Sequence, residues 1–221
     1  QMKIDLHIHS AHSRDAKATP AEILRACKRV GLDGCAISDH NEIKGALDAL
    51  ELSKSEGLIV VPAVEVSARE GHVLAYGVKE MIPRGLSVEE TIEKISAAGG
   101  IAVAAHPDRF PSGVGLDIAR RAKFDAIEVL NGGSSAKSNR LARAIAAERR
   151  MPMTGGSDAH ELEKIGRAYT VIEGVSSAAD VVERISQGKT SVAGSSRSGT
   201  ETVTYAVEVF FGWLLGGFKR L

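Results

Sequence analysis

Apolar and polar positions repeat along this chain with two alternating periods. A period of two marks strands and a period near 3.6 marks helices. Lys3-Ile4-Asp5-Leu6-His7-Ile8-His9 alternates and predicts a strand. Thr19-Pro20-Ala21-Glu22 opens a helix to about Val30, with Thr19 as N-cap and Pro20 at the first helical position. Gly34 to Ser38 is a short apolar strand ending at Asp39-His40, and a helix follows from about Ile43 to Glu56. Leu58 to Val66 is an apolar strand carrying Glu65. Arg69-Glu70-Gly71 reads as a tight turn, so the strand from His72 to Gly77 returns antiparallel and brings His72 beside Ser67 or Val66.

The second half repeats the theme. Ser87-Val88-Glu89-Glu90 is a capping box for a helix to about Ala98, closed by Gly99-Gly100. Ile101 to Ala105 predicts a strand delivering His106-Pro107. A helix near Leu116 to Ala122 precedes a strand from Ala126 to Leu130 that ends at Asn131. Ala136 to Arg150 is helical, and Met153 to Gly156 is a strand ending at Ser157-Asp158-Ala159-His160. A strand from Tyr169 to Ile172, a helix from Ala178 to Gln187 and a flexible loop from Ser195 to Thr200 complete the pattern.

Recurring βα units predict a parallel sheet. Strand after strand ends in a polar residue: His9, His40, Glu65, His106, Asn131, Asp158. A closed barrel gathers such ends on one rim. An open doubly wound sheet spreads them along an edge, and no glycine-rich phosphate loop follows the first strand. The predicted fold is therefore a distorted α/β barrel with its site at the carboxyl rim of the strands.

Composition narrows this picture. The 221 residues, 43% of them hydrophobic, suffice for one well-buried domain with a small appendage. We divide the chain into a domain over 2–194 and a C-terminal loop and apolar helix over 195–221. The formal net charge of zero argues against a nucleic-acid coat. Cys27 and Cys35 sit in apolar patterns and read as buried free thiols of a reducing compartment. With no leader signal and no transmembrane segment, the expected location is cytoplasmic. The tail concentrates Phe210, Phe211, Trp213 and Phe218. Packing over the barrel is its first reading, then a homodimer contact, then an interfacial membrane helix.

The candidate metal ligands are His7, His9, Asp15, His40, Glu65, His72, His106, Asp158 and His160. Singly each has an ordinary explanation: Asp158 as a helix cap, Asp15 as a solvated acid, His106-Pro107 as a turn. Together they exceed the needs of one tetrahedral ion and suit two or three ions sharing a carboxylate, with Glu65 the natural bridge. Without cysteine ligands, a closed structural zinc site is disfavoured.

These motifs resemble the PHP (polymerase and histidinol phosphatase) family of metal-dependent phosphoesterases. The matching stretches are Asp5-Leu6-His7-Ile8-His9-Ser10 with Asp15, Ile37-Ser38-Asp39-His40, Val64-Glu65-Val66, Gly71-His72-Val73-Leu74, Ala105-His106-Pro107 and Gly156-Ser157-Asp158-Ala159-His160, in family order. The resemblance implies a distorted (β/α)7 TIM-like barrel with up to three metals, manganese, zinc or iron. It implies a first ion on His7, His9, Glu65 and Asp158, a second on Glu65, His72 and His106, and a third on Asp15, His40 and His160. Some members have histidine where this chain has Asp15, a carboxylate that favours harder ions such as manganese.

Such a site suits phosphate-ester hydrolysis, with a hydroxide bridging two ions as nucleophile. Catalytic candidates are Glu65, His160 and Asp39, the last either helping the leaving oxygen or, preferably, orienting a ligand histidine. Arg14, Arg109 and Arg167 are phosphate-binding candidates, Arg197 a weaker one, and Asn131 a polar contact to substrate. The expected substrate is a small phosphorylated molecule or nucleotide, with nucleic-acid ends as runner-up. An amidohydrolase-like C–N hydrolase also opens on His-x-His, but no metal-bridging lysine is evident. A degenerate, non-catalytic metal module is disfavoured by the full ligand set.

Overall fold

A computed structural model describes residues 1–204 and 207. Seven strands build a nearly closed barrel: β1 (Met2–Ile8), β2 (Gly34–Ile37), β3 (Ile59–Ser67), β4 (His72–Tyr76), β5 (Ile101–Ala104), β6 (Ala126–Asn131) and β7 (Met153–Gly156). Between and after them run α1 (Pro20–Arg29), α2 (Lys44–Glu56), α3 (Val88–Ala97), α4 (Leu116–Arg121), α5 (Ala136–Arg149) and α6 (Ala178–Ser186). Two further strands, β8 (Ala168–Ile172) and β9 (Thr190–Gly194), extend the sheet beyond β1, giving the order β7-β6-β5-β4-β3-β2-β1-β8-β9. The barrel closes where β7 meets β1: Asp158 N donates to His7 O at 2.7 Å and His9 N to Ala159 O at 3.0 Å.

Most neighbouring strands of the barrel are parallel, but β4 runs antiparallel to both β3 and β5. The cause is local. Ala68 N donates to Gly71 O, closing the predicted turn, and His72 pairs with Ser67. The hairpin thus turns the start of β4 toward the rim where the parallel strands end.

The helix starts follow the capping chemistry read from the sequence. Thr19–Glu22 and Ser87–Glu90 are reciprocal capping boxes, and Ser177–Asp180 is a third. The barrel interior is filled by Ile4, Leu6, Val61, Ala63, Leu74 and Val103 among others, and Val181 and Ile185 of α6 join that cluster. Outside, Ile23, Leu24 and Cys27 of α1 pack on Ile8, Cys35 and Val60. Cys27 and Cys35 are buried free thiols.

Three sequence expectations change. β9 carries no strong period and was not predicted; it forms because its backbone pairs with β8 from Ala168↔Gly194 to Ile172↔Thr190. The stretch 195–200, expected to be a flexible loop, is tied down: Ser195 N donates to Arg167 O and Arg197 N to Ser134 O. Strict alternation in β1 also fails. Its register against β2 shifts between Asp5 and Ile8, so Leu6 faces the interior cluster while Ile8 joins the outer one. No described helix is long and apolar enough to cross a membrane. The aromatic tail, and with it the packing, dimer and membrane readings, lies largely outside the described residues.

Gly156 is where closure and site geometry meet. A Cβ there would stand 2.4 Å from His7 Cβ and 2.6 Å from His7 N. Gly156→Ala is expected to cost about 1–3 kcal/mol and to lower Tm, whereas Gly199→Ala, with nothing within 4 Å, leaves it unchanged. Scanning calorimetry of the two variants checks this; equal melting temperatures would refute it.

Candidate metal centre

Every barrel strand except β6 delivers a candidate ligand to one rim. His7 and His9 come from the end of β1, His40 from beyond β2, Glu65 from β3 and His72 from the start of β4. His106 follows β5, and Asp158 and His160 follow β7. Asp15 lies in the loop between β1 and α1.

Glu65 is the hub. Its Oε1 stands 2.9 Å from both His72 Nδ1 and His106 Nε2. Its Oε2 stands 3.1 Å from His40 Nδ1, 3.3 Å from His7 Nε2 and 3.4 Å from His9 Nε2. Burial alone would favour the protonated acid, but His72, His7 and His40 outweigh it and hold its pKa well below the ordinary carboxylate value. Asp158 forms a second node. Its Oδ1 lies 3.1 Å from His9 Nε2 and 3.4 Å from His7 Nε2, while Oδ2 accepts from Arg109 Nη1. Burial opposes its charge too, but Arg109 and His7 outweigh that and lower its pKa. At the mouth, Asp15 Oδ2 reaches His160 Nε2 at 3.1 Å and His40 Nε2 at 3.3 Å.

Chemically this donor set fits divalent cations. Burial pushes His9 down to about 3, which leaves a neutral imidazole. His7 Nε2, His40 Nδ1 and Glu65 Oε2 are buried without a hydrogen-bond partner, yet they face one another within 3.3 Å of the carboxylate. Such converging acceptors are costly unless a cation or protons lie between them. Four groups bring one ligand atom from each member within 4.8 Å of the others: His9–Asp15–His40–His160, His7–Glu65–His106, His7–His9–Asp158 and His40–Glu65–His72. All nine candidate ligands are therefore assembled. The grouping shares residues between sites more than the resemblance implied, with His7, His9, His40 and Glu65 each in two groups.

The remaining candidates are placed differently from one another. Arg14 and Arg109 line the cleft above the ligands. Arg167 pairs with Glu201 at 2.8 Å, away from the residues that line it. Asn131 is fully buried, and its Nδ2 donates to Glu128 and Asp158. Asp39 is also buried and grips Ser10, accepting from its N at 2.6 Å and its Oγ at 2.7 Å. Its carboxylate thus braces the backbone just after His9 instead of the His40 imidazole. Ser13 serves both ligands: its Oγ accepts from His40 N at 2.9 Å and lies 3.4 Å from His9 Nδ1.

Sequence reasoning missed two residues. Arg84, from the connection between β4 and α3, lines the cleft; its sequence context carries no signal. Glu128 lies beneath His7, with Oε1 2.9 Å from His7 Nδ1. A charged residue inside the apolar run Ala126 to Leu130 was the available clue.

Comparison with known proteins agrees with this geometry. Residues 5–130 match the PHP domain and residues 136–190 the PHP-associated family. An uncharacterized Methanocaldococcus jannaschii protein, MJ1587, is 41% identical over 116 residues, which cover 48% of this chain and 68% of that protein. A phosphoribosyl 1,2-cyclic phosphate 1,2-diphosphodiesterase of Eggerthella lenta is 35% identical over 85 residues, 36% of this chain and 32% of the enzyme. A crystal structure from Bacteroides vulgatus, of a two-domain protein containing a predicted PHP-like metal-dependent phosphoesterase, superposes with a TM-score of 0.73 at 18% identity, covering 87% of this chain and 64% of that one. The chain thus spans less than two thirds of that structure and about a third of the diesterase. With its barrel of candidate metal ligands and a match across more than half its length, the chain belongs to the PHP domain family.

Proposed function

We propose that this phosphoesterase hydrolyses a phosphate ester of a small phosphorylated molecule or nucleotide, using two or three manganese, zinc or iron ions. The observation that carries this reading is the cleft. It encloses about 780 Å³, with Glu65, His72, His106 and Asp158 in its floor and Arg14, Arg84 and Arg109 in its lining. That volume is in the range of small-ligand pockets. The guanidinium forks match phosphate oxygens, while the ligand cluster below holds cations. Divalent ions bound there lower the pKa of water and screen charge that builds on the phosphoryl group. The named activity of the Eggerthella relative, on a small cyclic phosphate diester, supports a compact substrate.

Within this scheme Glu65 and Asp158 hold the ions, and Arg14 and Arg84 orient the phosphate. His160 stands at the mouth, its Nδ1 donating to Asp158 O at 3.0 Å. It is placed either to complete the outer ion site or to protonate the leaving oxygen. Nucleic-acid ends are the second reading. Phe110, 70% exposed beside the cleft residues Arg109 and Pro111, offers a face on which a terminal base can stack.

Incubation with a chelator is expected to abolish phosphoesterase activity, and readdition of manganese, zinc or iron to restore it. A chelator-insensitive rate would defeat the metal mechanism. Glu65→Gln and Asp158→Asn are expected to lower kcat on the order of 10²-fold or more. Arg14→Ala is expected to raise KM roughly 10-fold with kcat little changed, the loss of one charge-assisted phosphate contact. Steady-state assays over phosphomonoesters, nucleotides and short oligonucleotides read these effects. Turnover confined to oligonucleotides would select the second reading, and none on any class would end the first.

A further inference from the structure

We propose that Glu128 is a positioning residue of the metal centre, fixing one ligand histidine's tautomer and aligning three ligands from three different strands. The inference rests on the reading of the rim cluster as a cation site. Glu128 is 1% exposed in a strand that is otherwise apolar apart from Asn131. A carboxylate in such a place costs several kcal/mol unless its oxygens are all engaged. They are. Oε1 lies 2.9 Å from His7 Nδ1. Oε2 accepts from His106 N at 2.9 Å and from Asn131 Nδ2 at 2.9 Å. The same Asn131 Nδ2 reaches Asp158 Oδ2 at 3.2 Å. One buried carboxylate is therefore linked to the His7 ring, to the His106 backbone and, through one amide, to Asp158.

Two features of the chain build this arrangement. The register of β6 against β7 shifts between Glu128 and Leu130, so residues three apart, Glu128 and Asn131, face the same side. Asn139 of α5 then clamps Asn131, its Oδ1 accepting from Asn131 N at 3.1 Å and its Nδ2 donating to Asn131 O at 3.0 Å.

The chemical consequence falls on His7. A carboxylate facing Nδ1 accepts its proton, so a ring that gives up one proton on binding a cation keeps this one and offers the Nε2 lone pair. Nε2 has no hydrogen-bond partner and points to Glu65 Oε2 at 3.3 Å and Asp158 Oδ1 at 3.4 Å. Glu128 thus presents the ligating atom of His7 to the space that its carboxylate neighbours enclose.

The test is titration of chelator-stripped protein with Mn²⁺ by calorimetry, and with Co²⁺ by its d–d absorption, alongside melting temperature. Glu128→Gln leaves one acceptor oxygen for three donors. It is expected to weaken binding at the tightest site 10–100-fold and to change the Co²⁺ spectrum, in protein that is still folded. Asn131→Ala, which removes the amide bonded to Glu128 Oε2 and Asp158 Oδ2 but leaves Glu128 facing His7 Nδ1 and His106 N, is expected to weaken binding less, and it serves if Glu128→Gln does not fold. A purely structural role would lower Tm and leave the affinity and spectrum of the folded protein unmoved, and that result overturns the proposal. Wild-type protein that binds neither ion would remove the cation-site reading itself, an outcome distinct from equal binding by wild type and variants.

Discussion

One carboxylate, Glu65, sets the terms for the rest of this molecule. It is wholly buried in the barrel mouth, and its two oxygens face five imidazoles at 2.9–3.4 Å. A buried charge is tolerable only where opposite charge or hydrogen bonds surround it. The barrel supplies that surrounding by ending strand after strand at the same height. The hairpin that reverses β4 is part of the same solution, because only a returning strand can start at this rim and bring His72 to Glu65. The charge of Glu65 and the path of the chain are thus mutually dependent.

Around that hub the protein arranges a graded set of supports. Asp39 and Ser13 brace the segment after β1 through Ser10, His9 and His40. Arg109 and Asn131 hold Asp158. Deep in the barrel both carboxylate oxygens of Glu128 are engaged, while Asp15 and His160 at the mouth remain partly open to solvent. A rigid floor and an accessible mouth suit a site that must keep its ions yet admit a phosphate ester.

Much of this was legible in the chain itself. The two periods located nearly all the strands and helices, and the capping residues Thr19 and Ser87 marked helix starts that the structure shares. The turn Arg69-Glu70-Gly71 was enough to infer a reversed β4. The candidate ligands that converge were legible because a histidine or carboxylate at the end of an apolar strand conflicts with its surroundings, and the conflict recurs. Glu128 showed the same conflict but lay inside its strand, three residues before its end, and no rule of strand ends pointed to it. Arg84 had no such contrast with its loop, and β9 had no period of its own.

What the sequence by itself determined is the alternation of elements, the barrel and the set of residues able to ligate metal, since these depend on local periodicity and on residue type. Only the tertiary structure decided which candidate ligands converge on one another and which polar residues stand behind them. Two register shifts, in β1 between Asp5 and Ile8 and in β6 between Glu128 and Leu130, turn side chains that a strict period of two would have sent elsewhere. Such shifts are set by pairing with neighbouring strands, and a strand's partners are not written in its own residues.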